Sequence, residues 1–214
     1  MQKTILFDLD GTLIDSTEAI LYGFNHTFEV FSHNKPSDDE ITRLIGHPLE
    51  YMYENLGVEI DEVDKFVQEY KLCYRKISRQ MTTMLPNAIT AIKEASKFAR
   101  LGIVTTKTGR YSKELLEHME VLKYFEVVIG REDVINPKPH REPILKAIEA
   151  MNIKLHDNIY MIGDTCMDMD SAKSAGVFGV GVGCGYASEE EIDECSEVLF
   201  GDSLDAVRYI KGII

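Results

Sequence analysis

Two carboxylates one residue apart, Asp8 and Asp10 in Phe7-Asp8-Leu9-Asp10-Gly11-Thr12, are the first groups in the chain with chemistry in reach. On an ideal strand they point to opposite faces. Both therefore meet one reactant only where the backbone leaves strand geometry, a turn that Gly11 makes easy. Groups of the same kind recur later: Thr105 and Thr106, Lys138 within Asn136-Pro137-Lys138-Pro139, and Asp164 with Asp168 four residues on. Carboxylates with hydroxyls and one lysine, and no pair of catalytic histidines, suit a hard cation and a phosphoryl group. Mg²⁺ takes oxygen ligands, usually a few carboxylates plus the oxygens of a substrate phosphate. A lysine and a hydroxyl at a strand–helix junction then neutralise the remaining oxygens. Beside this stand two purely structural readings: Asp10-Gly11 as a turn dipeptide, and Asp168 as a helix cap.

The elements that must position these groups are legible from periodicity. Ile5, Leu6 and Phe7 form an apolar run without polar alternation, as in a strand covered on both faces of a parallel sheet. Further strands are predicted at 100–106, 125–129, 158–164 and 177–182, with a short edge strand at 197–200. Helices are predicted between them, at about 86–98, 111–119 and 142–151, up to Gly176, and at 204–210. Such alternation means βαβ units and a doubly wound, Rossmann-like α/β sheet, whose C-terminal strand ends share the edge where ligands bind. Asp8, Asp10, Thr105, Thr106, Lys138 and Asp164 all lie at strand ends or in the loops just after them. Residues 16–84 show no strand-like run. A helix to about Ser32, short helices around the Gly46-His47-Pro48 break, and an amphipathic helix over 61–80 make an all-helical block. The predicted organisation is an α/β core of 1–15 and 85–214 with a helical domain of 16–84 inserted after the first strand.

Composition narrows the field. The 214 residues, 44% apolar and 28% charged, are those of an ordinary globular protein, and no apolar run reaches the roughly 18 residues of a membrane span. The start of the chain is no signal peptide. A net charge of −13 argues against nucleic acid, which is held mostly by Lys and Arg. From Ser188 to Asp205 the charged residues are all acidic and read as a solvated face. The four cysteines, Cys73, Cys166, Cys184 and Cys195, are widely scattered and form no CxxC pair, so neither a zinc site nor a disulfide framework is implied and a reducing cytoplasm fits. Cys73 and Arg79 have thiol-phosphatase spacing but no glycine between them for a phosphate cradle. The alternating glycines 179, 181, 183 and 185 lack a dinucleotide fingerprint and read as a strand running into a flexible loop. His26, His33, His118, His140 and His156 read as surface or packing residues; His47 stands apart, near Arg43 in the helical block.

In order along the chain, Asp8-Leu9-Asp10-Gly11-Thr12, Ile103-Val104-Thr105, Lys138-Pro139 and Gly163-Asp164-Thr165-Cys166-Met167-Asp168 resemble the four motifs of the haloacid dehalogenase superfamily. The DxDGT form is similar to its phosphatases, and the helical block stands where that family carries a helical cap. The resemblance implies a Mg²⁺-dependent phosphatase with Asp8 as nucleophile and Asp10 as general acid and base, lending its backbone carbonyl to the metal. It further implies Thr105 and Lys138 on the transferring phosphate and Asp164 and Asp168 on the metal side. Gly11, Thr12, Thr106 and Lys107 are the further groups expected around the phosphate, and Arg43, His47 and Arg75 are the candidates for meeting the rest of the substrate. Among members, the chain is similar to phosphoglycolate phosphatases and to nearby pyrophosphatases. 2-Phosphoglycolate is the first substrate expected, pyrophosphate the second. A sugar phosphomutase and a non-catalytic metal or phosphate binder on the same fold remain the alternatives. The expected protein is a monomer or homodimer acting on a small phosphorylated metabolite, with no nucleic-acid or membrane partner. One departure is local: His140-Arg141-Glu142-Pro143 replaces the acid-then-Pro sequence usual after Lys138-Pro139.

Overall fold

A computed structural model describes residues 2–155 and 158–212; His156 lies outside the described residues. The chain divides into two compact units, Met1–Asp15 with Met84–Ile214, and Ser16–Thr83.

In chain order the first unit opens with β1 (Lys3–Phe7) and β2 (Ile14–Asp15). The second unit is helical: α1 (Thr17–Val30), α2 (Asp38–Thr42), α3 (Leu49–Asn55) and α4 (Val63–Met81). Its centre is aromatic. Phe24 lies 4.6 Å from Tyr53 and 5.0 Å from Tyr70 between ring centroids, and Phe28 lies 5.5 Å from Phe66. Ser37 and Glu40 close a capping box at the start of α2, satisfying amide donors that the helix itself leaves open. β3 (Thr83–Met84) returns the chain and pairs with β2; strands of two residues are too short for periodicity to announce.

The first unit then runs α5 (Ala88–Ala95), β4 (Ala99–Val104), α6 (Gly109–His118), β5 (Val127–Ile129), α7 (Glu142–Ala150), β6 (Ile159–Gly163), α8 (Cys166–Ala175), β7 (Phe178–Val182), α9 (Glu189–Cys195), β8 (Leu199–Phe200) and α10 (Ser203–Gly212). Helix α5 is shorter than the predicted 86–98. Asn87 adopts φ 64°, a left-handed conformation that Asn tolerates and a helix does not, so the helix starts after it.

The six strands of the main sheet lie in the order β5-β4-β1-β6-β7-β8, every pair parallel. Period-2 geometry splits β1 between two cores. Ile5 and Phe7 join the core that takes Ala91 and Ile92 of α5 and Val207 and Ile210 of α10. Leu6 joins the opposite core with Ile144 and Ile148 of α7 and Ala172 of α8. The sheet is thus covered on both faces, which is why its central strand is apolar at successive positions. Phe7→Ala would cost roughly 3–5 kcal/mol. The chain works outward from β1 through β4 to β5, then crosses to the other side of β1 for β6. The C-terminal ends of β1, β4 and β6 therefore frame a switch point in strand order, where α/β sheets open a crevice.

The expectation of no disulfide is corrected. Cys166, opening α8, and Cys195, closing α9, are bonded, with Cα atoms 5.6 Å apart across a sequence separation of 29. Spacing alone could not show this, because the approach is made by α9 folding back beside α8.

Candidate active site

Two hydrogen bonds extend the sheet one residue beyond its strands and fix where the polar groups begin. The Asp8 amide donates to the Ile162 carbonyl at 2.9 Å, and the Thr105 amide to the Ile129 carbonyl at 3.0 Å. Asp8, Lys138, Asp164 and Asp168 meet here, all buried. Lys138 Nζ lies 2.8 Å from Asp8 Oδ1 and 2.5 Å from Asp168 Oδ1. It donates a hydrogen bond to Asp168 and forms an ion pair with Asp8. Among the described residues, no hydrogen-bond partner is found for the buried Asp8 Oδ1, which has only the Lys138 ion pair.

Asp164 is held through both oxygens. The Thr12 hydroxyl donates to Oδ1 at 2.8 Å and the Tyr186 amide to Oδ2 at 2.9 Å. Backbone from two loops closes on this carboxylate. Gly11 sits at φ 79°, and a Cβ there would lie 2.2 Å from Asp164 Oδ2; a Cβ on Gly185 would lie 2.1 Å from the same atom. Only glycine allows either approach. Asp168 does two jobs, since its Oδ2 accepts from the amide and hydroxyl of Thr165 at 3.2 and 2.7 Å, a capping arrangement, while its Oδ1 faces Lys138. The metal-side and capping readings of Asp168 are therefore compatible.

Three carboxylates against one ammonium leave an excess of negative charge. Ligand atoms of Asp8, Asp164 and Asp168 all lie within 4.8 Å of one another, and a pair at that distance repels by roughly 3.5 kcal/mol at an effective dielectric of 20. The Asp8 carboxyl is pushed up to about 7, chiefly by burial, with the charges of Asp168 and Asp10 adding and Lys138 opposing. Asp164 is raised well above its ordinary range by burial and then by the charges of Asp8 and Asp168, against the Tyr186 and Thr12 hydrogen bonds. Burial alone would lower the Lys138 ammonium, yet Asp168 and Asp8 reverse it and hold the lysine charged. An all-oxygen donor set, an orphaned carboxylate oxygen and uncompensated negative charge fit a hard divalent cation such as Mg²⁺.

Asp10 lies beside this cluster, and both its oxygens are 3.0 Å from Lys107 Nζ. Lys107, expected on the phosphate, is thus placed on a carboxylate. Its amide donates to Thr105 Oγ1 at 3.2 Å, so the Thr105 proton is left to donate elsewhere; Thr106 is half-buried between them. Arg43, His47 and Arg75 belong to the helical unit and occupy three separate elements. Arg43 is exposed at the end of α2 on a groove with Lys35, Glu40 and Asn55. His47 stacks on Tyr51 at 4.3 Å, and burial lowers its pKa; Arg75 is exposed on α4. Sequence reasoning missed Tyr186 and Gly185. The alternating glycines were their signal: the segment read as a flexible loop holds an amide on Asp164.

Residues 5–182 match the family of haloacid dehalogenase-like hydrolases. The pyrophosphatase PpaX of Halalkalibacterium halodurans is 33% identical over 195 residues, covering 89% of this chain and 87% of that protein. That of Anoxybacillus flavithermus is 32% identical over 184 residues, covering 84% and 83%. Among solved structures, a haloacid dehalogenase-like hydrolase from Streptococcus pneumoniae superposes with a TM-score of 0.86 at 25% identity, covering 97% of this chain and 98% of that one. A predicted phosphoglycolate phosphatase from Haemophilus somnus gives 0.85 at 21% identity, covering 97% of each chain, a likeness of fold alone.

Proposed function

Because this chain belongs to the haloacid dehalogenase-like hydrolase family and is one of its phosphatases, we propose that it hydrolyses inorganic pyrophosphate through a phospho-aspartate on Asp8. The observation that carries the reading is the buried Asp8 oxygen with no hydrogen-bond partner, beside Lys138 and two further carboxylates. Asp8 Oδ1 attacks phosphorus and the bond from phosphorus to the leaving oxygen breaks, splitting one hard displacement into two easier ones. Asp10 gives its proton to that oxygen, then takes a proton from the water that attacks the aspartyl-phosphate. Lys138 and the Thr105 hydroxyl neutralise and orient the transferring group, the fixed donors a phosphoryl transition state needs. Asp8, Asp164 and Asp168, with the Asp10 backbone carbonyl, would hold Mg²⁺. When bound, the cation would keep these carboxylates ionised and neutralise phosphoryl oxygens. Fixed in place by Thr12, Tyr186 and Thr165, Asp164 and Asp168 need little rearrangement for that role.

The sequence placed phosphoglycolate ahead of pyrophosphate; two curated relatives above 30% identity, both pyrophosphatases, support the reverse order. The helical unit is proposed to act as the cap that admits the substrate. A kcat/KM panel with Mg²⁺ over pyrophosphate, phosphoglycolate, sugar phosphates and nucleotides tests the reading, with pyrophosphate expected highest. A clear lead for phosphoglycolate would replace the substrate and keep the chemistry. Conversion of a sugar 1-phosphate to its 6-phosphate without phosphate release would make the protein a mutase. No turnover of any member, metal present, would leave only a binder.

A further inference from the structure

Lys107 is the second lysine of this sheet edge, and the four-carboxylate cluster gives it a partner of its own. Where Lys138 serves Asp8 and Asp168, Lys107 Nζ stands 3.0 Å from each oxygen of Asp10. An ammonium at the same distance from both oxygens ties down the carboxylate head as a whole, where contact with one oxygen would hold only that atom. The two side chains are only 11% and 12% exposed, so water competes little for either. The lysine is itself anchored. Its amide donates to Thr105 Oγ1, and its carbonyl accepts from the Arg131 amide at 3.0 Å. Gly130 closes behind it, where a Cβ would lie 2.9 Å from the Lys107 carbonyl oxygen. Asp10 itself stands where the chain turns out of β1, just before Gly11 at φ 79°.

We infer that Lys107 is a positioning residue for Asp10, holding its carboxylate in the orientation from which it serves the leaving oxygen, rather than a ligand of the phosphate. The inference rests on the reading of Asp10 as the proton-transfer group. A misplaced proton donor is felt most when the leaving oxygen is basic, and least when, as with p-nitrophenyl phosphate, it departs without a proton.

The test is Lys107→Met against Lys107→Arg, whose planar fork also spans two carboxylate oxygens. With the methionine, kcat/KM on an alkyl phosphate, which reports the phosphoryl-transfer step without the water step common to all substrates, should fall about 100-fold, and on p-nitrophenyl phosphate less than about fivefold. The inhibition constant of inorganic phosphate should not move, and arginine should recover most of the loss. A crystal structure of Lys107→Met should show the Asp10 carboxylate turned from its place. A rise in the phosphate inhibition constant would make Lys107 a phosphate ligand and overturn the inference. So would an equal fall of kcat/KM on both leaving groups, or an Asp10 that has not moved. Lys107→Gln, which keeps a donor, carries the same measurements should the methionine variant not fold. The crystallographic comparison is read whether or not the chain hydrolyses any phosphate, so failure of the hydrolase reading is told apart from failure of this one.

Discussion

Replacing Asp8 by Asn keeps the shape of a side chain buried between Lys138 and the metal-side carboxylates while removing the nucleophile. Asp8→Asn should fold, bind substrate and lose at least about 1000-fold in kcat, measured by phosphate release; appreciable remaining turnover would sink the covalent mechanism. The same residue links stability to pH. Its carboxyl ionises near 3.8 in the unfolded chain and near 7 in the folded one. Below the lower value it is protonated in both states. Between the two, only the unfolded chain releases the proton, so stability falls as pH rises and the loss is complete just above 7. In chelator, the melting temperature should therefore drop between pH 5 and pH 7.5. Mg²⁺, binding the ionised carboxylates, should restore it at pH 7.5 and do little at pH 5. Melting curves with and without metal at the two values decide this.

At the scale of elements, the site is a meeting of strand ends with the first turn of a helix. Strand β1 delivers Asp8, the β4 end Thr105 and Lys107, the β6 end Asp164, and the first turn of α8 Asp168. Helix α8 is also the element that the Cys166–Cys195 bond ties to α9. Closing 29 residues restricts the unfolded chain by about 3.5 kcal/mol in the loop-entropy account. Thiol reductant should therefore lower the melting temperature of the protein, and Cys195→Ser should abolish the difference between reduced and oxidised samples. Scanning calorimetry with and without reductant measures both; a wild-type transition that reductant leaves in place would contradict the bond.

Across the whole molecule, two units with separate cores invite a division of labour, chemistry on the sheet unit and substrate choice on the helical one. If Arg43, His47 and Arg75 select a small anion, changing each to Ala should raise KM for pyrophosphate by about tenfold where the contact is made, and KM for an aryl phosphate less. Steady-state kinetics on the two substrates test each variant. An unchanged ratio for all three would remove the helical unit from substrate selection as proposed.

The sheet, its strand ends and the order of the polar groups along the chain were determined by the sequence itself. A strand buried on both faces must be apolar throughout, and parallel connections bring every C-terminal end to one edge, so Asp8, Thr105, Lys138 and Asp164 were legible as neighbours. Periodicity and local motifs carry no information on which side chains face one another across the edge. Only the tertiary structure decided that Lys138 is shared by Asp8 and Asp168, that Lys107 turns to Asp10, and that the glycines near 183–185 bring the Tyr186 amide onto Asp164. The disulfide belongs with these, because its cysteines are distant in sequence and meet only once α9 has folded beside α8. Pairings of this kind depend on contacts between residues 22 to more than 150 positions apart, as in Asp164 with Tyr186 and Thr12 with Asp164, and no local rule reaches that far.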